Sequence, residues 1–198
     1  MPEHSSMHFY LNWTKERLDE MDATLASLEA KASQLRADAK ATAEQSIGDL
    51  KKRRNEFQIK AKAQAEASES AWHTAKTQLE SQWSGFEAQV KTYFETVGKQ
   101  VEQQQSTFRD IAAAQVKAWR EAADKFHGAA TKVATEKRAN IDTAIKQMRA
   151  DAVEADARLQ KLKQAGSESW TALSDALAES RKAFDQANQR AWDAFRRA

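Results

Sequence analysis

Residues 98 positions apart carry matching large hydrophobic side chains along most of this chain. Trp72, Leu79, Phe86 and Phe94 recur as Trp170, Leu177, Phe184 and Trp192, and earlier Tyr10, Leu35, Ile47 and Leu50 recur as Phe108, Val133, Ile145 and Met148. A repeat of this length requires that what the first half forms the second half can form again. The repeated sequence is helix-forming: of 198 residues one is proline, Pro2, and five are glycine, while Ala, Glu, Gln, Lys and Arg, which propagate helices well, dominate. The chain therefore reads as all-α.

From Leu18 the apolar positions advance by steps of three and four through Met21, Leu25, Leu28, Ala32, Leu35, Ala39, Ala43, Ile47 and Leu50. Additional steps of four bring the mean near ~3.6, which predicts long, nearly straight helices. Only the segment from Gly98 to Thr107, GKQVEQQQST, is polar and non-periodic, with Thr107 and Asp110 resembling a helix start. The favoured architecture is a long antiparallel helical hairpin, coiled-coil-like. It forms a single elongated domain of two repeats, about residues 8–98 and 106–196, joined by a turn near 98–107. Each arm spans ~135 Å at 1.5 Å per residue. Folding the arms together places Trp13 against Trp192, Met21 against Phe184, Lys51 near Glu154, Arg54 near Asp151 and Glu80 near Lys125. One seam cannot cover all the aromatics, so dimerisation into a four-helix assembly is expected. The alternative is a single-chain four-helix bundle with a corner at Gly48. Gly48 and Gly166 read as helical glycines or kinks.

The formal net charge is +2 and charged residues make up 30% of the chain, so no global field directs it to nucleic acid or an anionic surface. The lack of cysteine excludes disulfides, thiol catalysis and Cys-type zinc sites. No apolar run approaches the ~20 residues that span a bilayer, and the first residues resemble no secretory leader; a soluble cytoplasmic protein is expected.

No phosphate loop, nucleophile elbow or HExxH pattern occurs, so no catalytic residue and no cofactor are assigned and the chain is expected not to be an enzyme. Glu16 with Glu20, and Asp151 with Glu154, have helical spacing but Lys or Arg neighbours, and read as solvated faces. His73 and His127 read as surface or seam residues. His4, after Glu3 and Pro2, is a weak N-terminal copper or nickel candidate once the initiator methionine is removed. The basic block Lys51, Lys52, Arg53 and Arg54 offers phosphate contacts, although pairing with Asp151 and Glu154 explains it more economically. The segment from Phe184 to Ala198, with Trp192, Phe195, Arg196 and Arg197, is amphipathic: it either lies on a lipid or polymer surface or closes the seam against Trp13.

The stretches SESAWHTAKTQLESQWSGFEAQV and GSESWTALSDALAESRKAFDQANQRAWDAF resemble the Trp/Ala/Phe-punctuated ending of small bacterial coiled-coil stress-response proteins. That resemblance implies a stress-related role and supplies no catalytic residues. A looser similarity is to phasins and apolipoprotein-like helical proteins, which coat hydrophobic surfaces, although apolipoprotein-style proline punctuation is missing. The leading expectation is a non-enzymatic structural or interaction protein that self-associates as a homodimer or higher assembly. Its stripe would comprise Trp72, Trp83, Phe86, Trp170, Phe184 and Trp192. The alternatives are a phasin-like coat in which those residues meet lipid or polyester, and a nucleic-acid-associated protein using residues 51–54.

Overall fold

The computed structural model describes residues 3–64, 69–166 and 168–198, with side chains described from Leu11 onward except that of Glu69. These residues form six helices: α1 (Glu3–Ala32), α2 (Ala37–Gln64), α3 (Glu69–Thr96), α4 (Val101–Ala130), α5 (Thr135–Ala165) and α6 (Trp170–Arg197). The all-α expectation holds, and the sequence repeat is a repeat of helices, with α1–α3 recurring as α4–α6. The continuous arms of the hairpin do not. Each arm is divided into three helices, so the chain turns back on itself within each copy as well as between them.

The unforeseen turns contain neither proline nor glycine, and they are the same device used twice. Ser33 Oγ donates to Ala30 O at 2.9 Å and its counterpart Thr131 Oγ1 to Gly128 O at 2.7 Å, each hydroxyl competing for a carbonyl at a helix end. Gln34 N and Leu35 N then close tight bonds to Lys31 O and Ala32 O, matched by Lys132 N to Ala129 O and Val133 N to Ala130 O. Leu35 and Val133 tuck against the core, and Asp38 and Glu136 lie in the first turn of the next helix, where the dipole favours acids.

At the central turn, Gly98 N donates to Tyr93 O. A Cβ at Gly98 would stand 2.7 Å from the Phe94 ring, so glycine is required for close approach. Helix α4 begins earlier than Thr107: Gln100 is its N-cap, and Thr107 is fully buried and paired with Ser27. Gly166 is a terminator and not a helical glycine, holding φ 68° as the left-handed C-cap of α5; Ser169 then caps α6, accepting from Ala172 N. Gly48 lies inside α2; the junction between α2 and α3 at 65–68 is outside the described residues.

Helices α1 and α4 are the centre. They run antiparallel, tied by Ser27 with Thr107, Glu20 with Gln115 and Lys15 with Glu121, and α6 packs on both. One hydrophobic cluster spans the two copies, joining α1–α3 to Phe108, Ile111, Val116, Trp170 and Leu177. The other, Trp119 through Ala191, lies wholly in the second copy, which therefore closes a core of its own.

The copies differ in how their third helix docks. Helix α6 lies close along α4, whereas α3 packs mainly on α2 and only lightly on α6. The side chains at the first copy's core explain this. Trp13 and Phe57 stack at 6.1 Å, and Trp13 meets Trp72 edge-on at 6.1 Å; the residues at the positions of Trp13 and Phe57 in the second copy are the smaller Ile111 and Ala155. Bulky rings act as spacers between α3 and the centre.

Candidate functional site

Helix α1 is buried on nearly all sides, so its polar residues are buried too: Asn12, Thr14, Glu16, Arg17, Glu20, Thr24 and Ser27. Glu16 and Glu20, which neighbouring charges in sequence marked as solvated, are each 1% exposed. Their cations come from α6, where one turn of helix brings Arg181 and Asp185 onto the same face. Arg181 Nε and Nη2 donate to the two carboxylate oxygens of Glu20 at 3.0 and 2.9 Å, and its Nη1 reaches Glu87 of α3 at 3.0 Å. Arg17 grips Asp185 in the same forked geometry at 3.0 and 2.6 Å and lies 2.5 Å from Glu16. Each guanidinium also covers an indole, Arg17 over Trp13 at 4.7 Å and Arg181 over Trp83 at 4.5 Å. Gln115 of α4 completes the shell, donating to Glu20 Oε1 at 2.8 Å and to Leu177 O at 3.0 Å.

Four acids, Glu16, Glu20, Glu87 and Asp185, meet two arginines here, and the electrostatics follow that imbalance. Burial, then the neighbouring negative charge of Glu20, pushes the Glu16 carboxyl well above its usual range. Burial works to raise Glu20 as well, but Arg181 and a hydrogen bond from Glu16 outweigh it and hold Glu20 below the ordinary value. The two carboxyls are thus driven in opposite directions, Glu16 up and Glu20 down.

Beside this cluster lies a cavity of about 230 Å³, walled by Trp83, Phe86, Val90, Trp170 and Leu177, with Glu20, Glu87 and Arg181 among its polar lining. It sits where α3 stands away from α6, α1 and α4. Phe94 packs on Trp170 of its wall, with ring centroids 4.4 Å apart.

The six stripe residues Trp72, Trp83, Phe86, Trp170, Phe184 and Trp192 are all inside the fold. As a binding face they are reachable only if helices separate, which corrects the picture of a stripe awaiting a second chain. The opposed pairs of the hairpin also change. Trp13 meets Phe57 and Trp72, not Trp192, and the C-terminal segment closes against α4, where Phe195 stacks on Phe126 at 5.7 Å. Helices α1 and α6 do run antiparallel, about one turn out of the expected register, as Arg17 with Asp185 and Glu20 with Arg181 demonstrate.

The basic block is paired differently from expectation: Lys51 with Glu29, Arg54 with Asp22, Lys52 with Asp49, and Arg53 with Gln89. Asp151 and Glu154 are taken by Arg190 and Arg158, and Glu80 by Lys76. His73 and His127 are exposed, and among the described residues no group of three metal-binding side chains converges. The copper or nickel candidate His4 has its side chain outside the described residues. Among the described residues no helix is long and apolar enough to cross a membrane. No protein-family model, curated protein or solved structure matches the chain.

Arg17, Glu87, Gln115, Arg181 and Asp185 were not singled out in the sequence, and Glu20 was read there as solvated. One signal was present: Arg181 occupies the repeat position of Trp83, a cation where the other copy has a core indole.

Proposed function

We propose that this chain is a non-enzymatic helical interaction protein that acts by opening, in the manner of a phasin-like amphipathic coat. The observation that carries the reading is the docking of α3. A helix bearing Trp72, Trp83, Phe86, Val90 and Phe94 is held to the centre across a cavity by ring contacts and by the Arg181 clamp. The clamp is built from desolvated charges, which stabilise a closed state less than an apolar seam of equal volume would. An apolar surface offers the same aromatic side chains equivalent burial without that desolvation. The closed exterior supports opening over docking of intact bundles: its exposed large hydrophobics among the described residues are Leu11, Ile59, Val101 and Val153, scattered over four helices, so self-association through the stripe also requires opening. The nucleic-acid alternative is weakened by the ion pairs that occupy Lys51 and Arg54.

Flotation with oil droplets and with polyhydroxybutyrate particles, read by tryptophan emission and circular dichroism, tests the reading. Co-flotation with altered emission at constant helix content is expected. A chain that stays with the aqueous phase under both conditions overturns the coat.

A further inference from the structure

We infer that the α2–α3 hairpin is the element that leaves the bundle, and that α2 directs it to the headgroups of an anionic phospholipid surface; this rests on the coat reading above. The argument begins with the arrangement of charge on α2. Its buried stripe is Ala43, Ile47, Leu50, Phe57 and Ala61. Lys51 and Lys62 fall along one border of that stripe and Arg53 and Lys60 along the other, each about 80–100° from its centre at about 100° per residue. From Lys51 to Gln64 the helix carries six cations, Lys51, Lys52, Arg53, Arg54, Lys60 and Lys62, against one acid, Glu56. On a helix lying in an interface, bordering lysines and arginines run their apolar stems along the buried face and lift their charges to the phosphate level.

The second copy supplies the internal comparison. The positions of Lys51, Arg53, Lys60 and Lys62 are occupied in α5 by Arg149, Asp151, Arg158 and Gln160. One border cation has become an acid, paired with Arg190 of α6, and another is neutral. Two helices of one repeated pattern thus differ in the feature that a negative surface reads. The border charges of α5 are all paired, Asp151 with Arg190 of α6, Arg149 with Asp124 of α4 and Arg158 with Glu154 of α5 itself, whereas Lys60 and Lys62 of α2 are exposed and have no partner among the described residues.

The same hairpin is the one the fold holds least closely. It is reached through the turns at 33–36 and 97–100, and α3 packs mainly on its own partner α2. Arg54 lies within the stripe and is forked onto Asp22 of α1 at 2.7 and 3.0 Å, so that pair, Lys51 with Glu29 and Arg181 with Glu87 must part for the hairpin to leave. The first two are solvent-accessible pairs of the kind that contribute little to stability. Leaving uncovers Trp72, Trp83 and Phe86 beside a cationic border, a combination that fits anionic phospholipid better than an uncharged polymer.

Co-sedimentation with phosphatidylcholine vesicles, with and without phosphatidylserine, tests this alongside oil-droplet flotation of the same proteins. Wild type is expected to prefer the serine-containing vesicles. Lys60→Gln/Lys62→Gln is expected to lose roughly fivefold in affinity per lysine at low salt, while Arg149→Gln/Arg158→Gln loses none. Equal binding to both vesicle types, or equal losses in the two double variants, overturns the assignment to α2. Droplets carry no headgroup charge, so their retention in that case leaves the coat reading standing, and their loss removes both.

Discussion

Arg181 and Glu20 meet as a forked pair between α6 and α1, at 3.0 and 2.9 Å, with side chains 10% and 1% exposed. That contact gathers the chain, because the same guanidinium reaches Glu87 on α3 and lies over Trp83. Removing one member strands the other in a desolvated site. Arg181→Met is therefore expected to lower stability by about 3–5 kcal/mol, and Glu20→Met/Arg181→Met to recover most of that loss. Urea unfolding of the two single variants and the double completes the cycle. A double variant no better than Arg181→Met alone would show that the pair is not coupled.

Glu16 gives stability a dependence on pH opposite to that of ordinary carboxylates. Its folded-state value is raised, so between the unfolded and folded values the folded chain binds more protons, and stability falls as pH rises through that window. Glu20, held low, contributes stability that is lost as pH falls below the ordinary carboxyl range. Glu16→Gln removes the titrating carboxyl and with it the first effect. Thermal melts taken as pH rises from the ordinary carboxyl range should show wild type losing stability and the variant losing less; parallel curves would count against a raised Glu16.

Glycines sort by what surrounds them. Gly48 and Gly128 are helical, and a Cβ at either meets nothing within 4 Å, so Gly48→Ala and Gly128→Ala should each stabilise by about 0.5–1 kcal/mol. Gly166→Ala should destabilise by about 1 kcal/mol or more, because φ 68° is unfavourable for alanine. Gly98→Ala drives a methyl into the Phe94 ring and should also destabilise. Chemical denaturation of the four variants would refute this if all moved in one direction.

Asp22→Asn frees Arg54 without touching the core. The pair is partly exposed, so the stability loss should stay within about 1 kcal/mol, while vesicle and droplet binding strengthens because the hairpin is released more readily. Unchanged or weaker binding would argue that α2 does not separate from α1.

Trp13→Ala removes the ring on which Phe57 and Trp72 converge and should cost about 3–5 kcal/mol. Trp13→Ile/Phe57→Ala installs the second copy's residues and lets α3 close on the centre. Its loss should be smaller than the two single losses combined, a non-additivity that equilibrium unfolding measures.

Much of the fold was legible along the chain. The scarcity of Pro and Gly made it helical, the three-and-four spacing identified Met21, Leu28, Ile47 and Leu50 as apolar positions that prove to be core, and the polar stretch after Val97 marked the central turn. The turns after Ala32 and Ala130 were illegible because their device is a hydroxyl bonding back to a carbonyl, and Ser33 and Thr131 look like any surface residue until the chain departs. The stripe aromatics were legible as apolar helix positions, but not their burial inside the bundle, since spacing says that residues share a face and not what covers it.

What the amino-acid order determined by itself is the local part: helices, their apolar faces and the doubling of the pattern, all set by interactions between residues a few positions apart. Tertiary structure alone decided that Glu16 and Glu20 are buried, that Lys51 answers to Glu29 and not Glu154, and that α6 docks along α4 while α3 packs mainly on α2. The reason is that desolvation and pairing depend on which helices surround a side chain. Those surroundings are set jointly by turn positions and by the bulk of Trp13 and Phe57 against Ile111 and Ala155, a comparison meaningful only once the helices are packed.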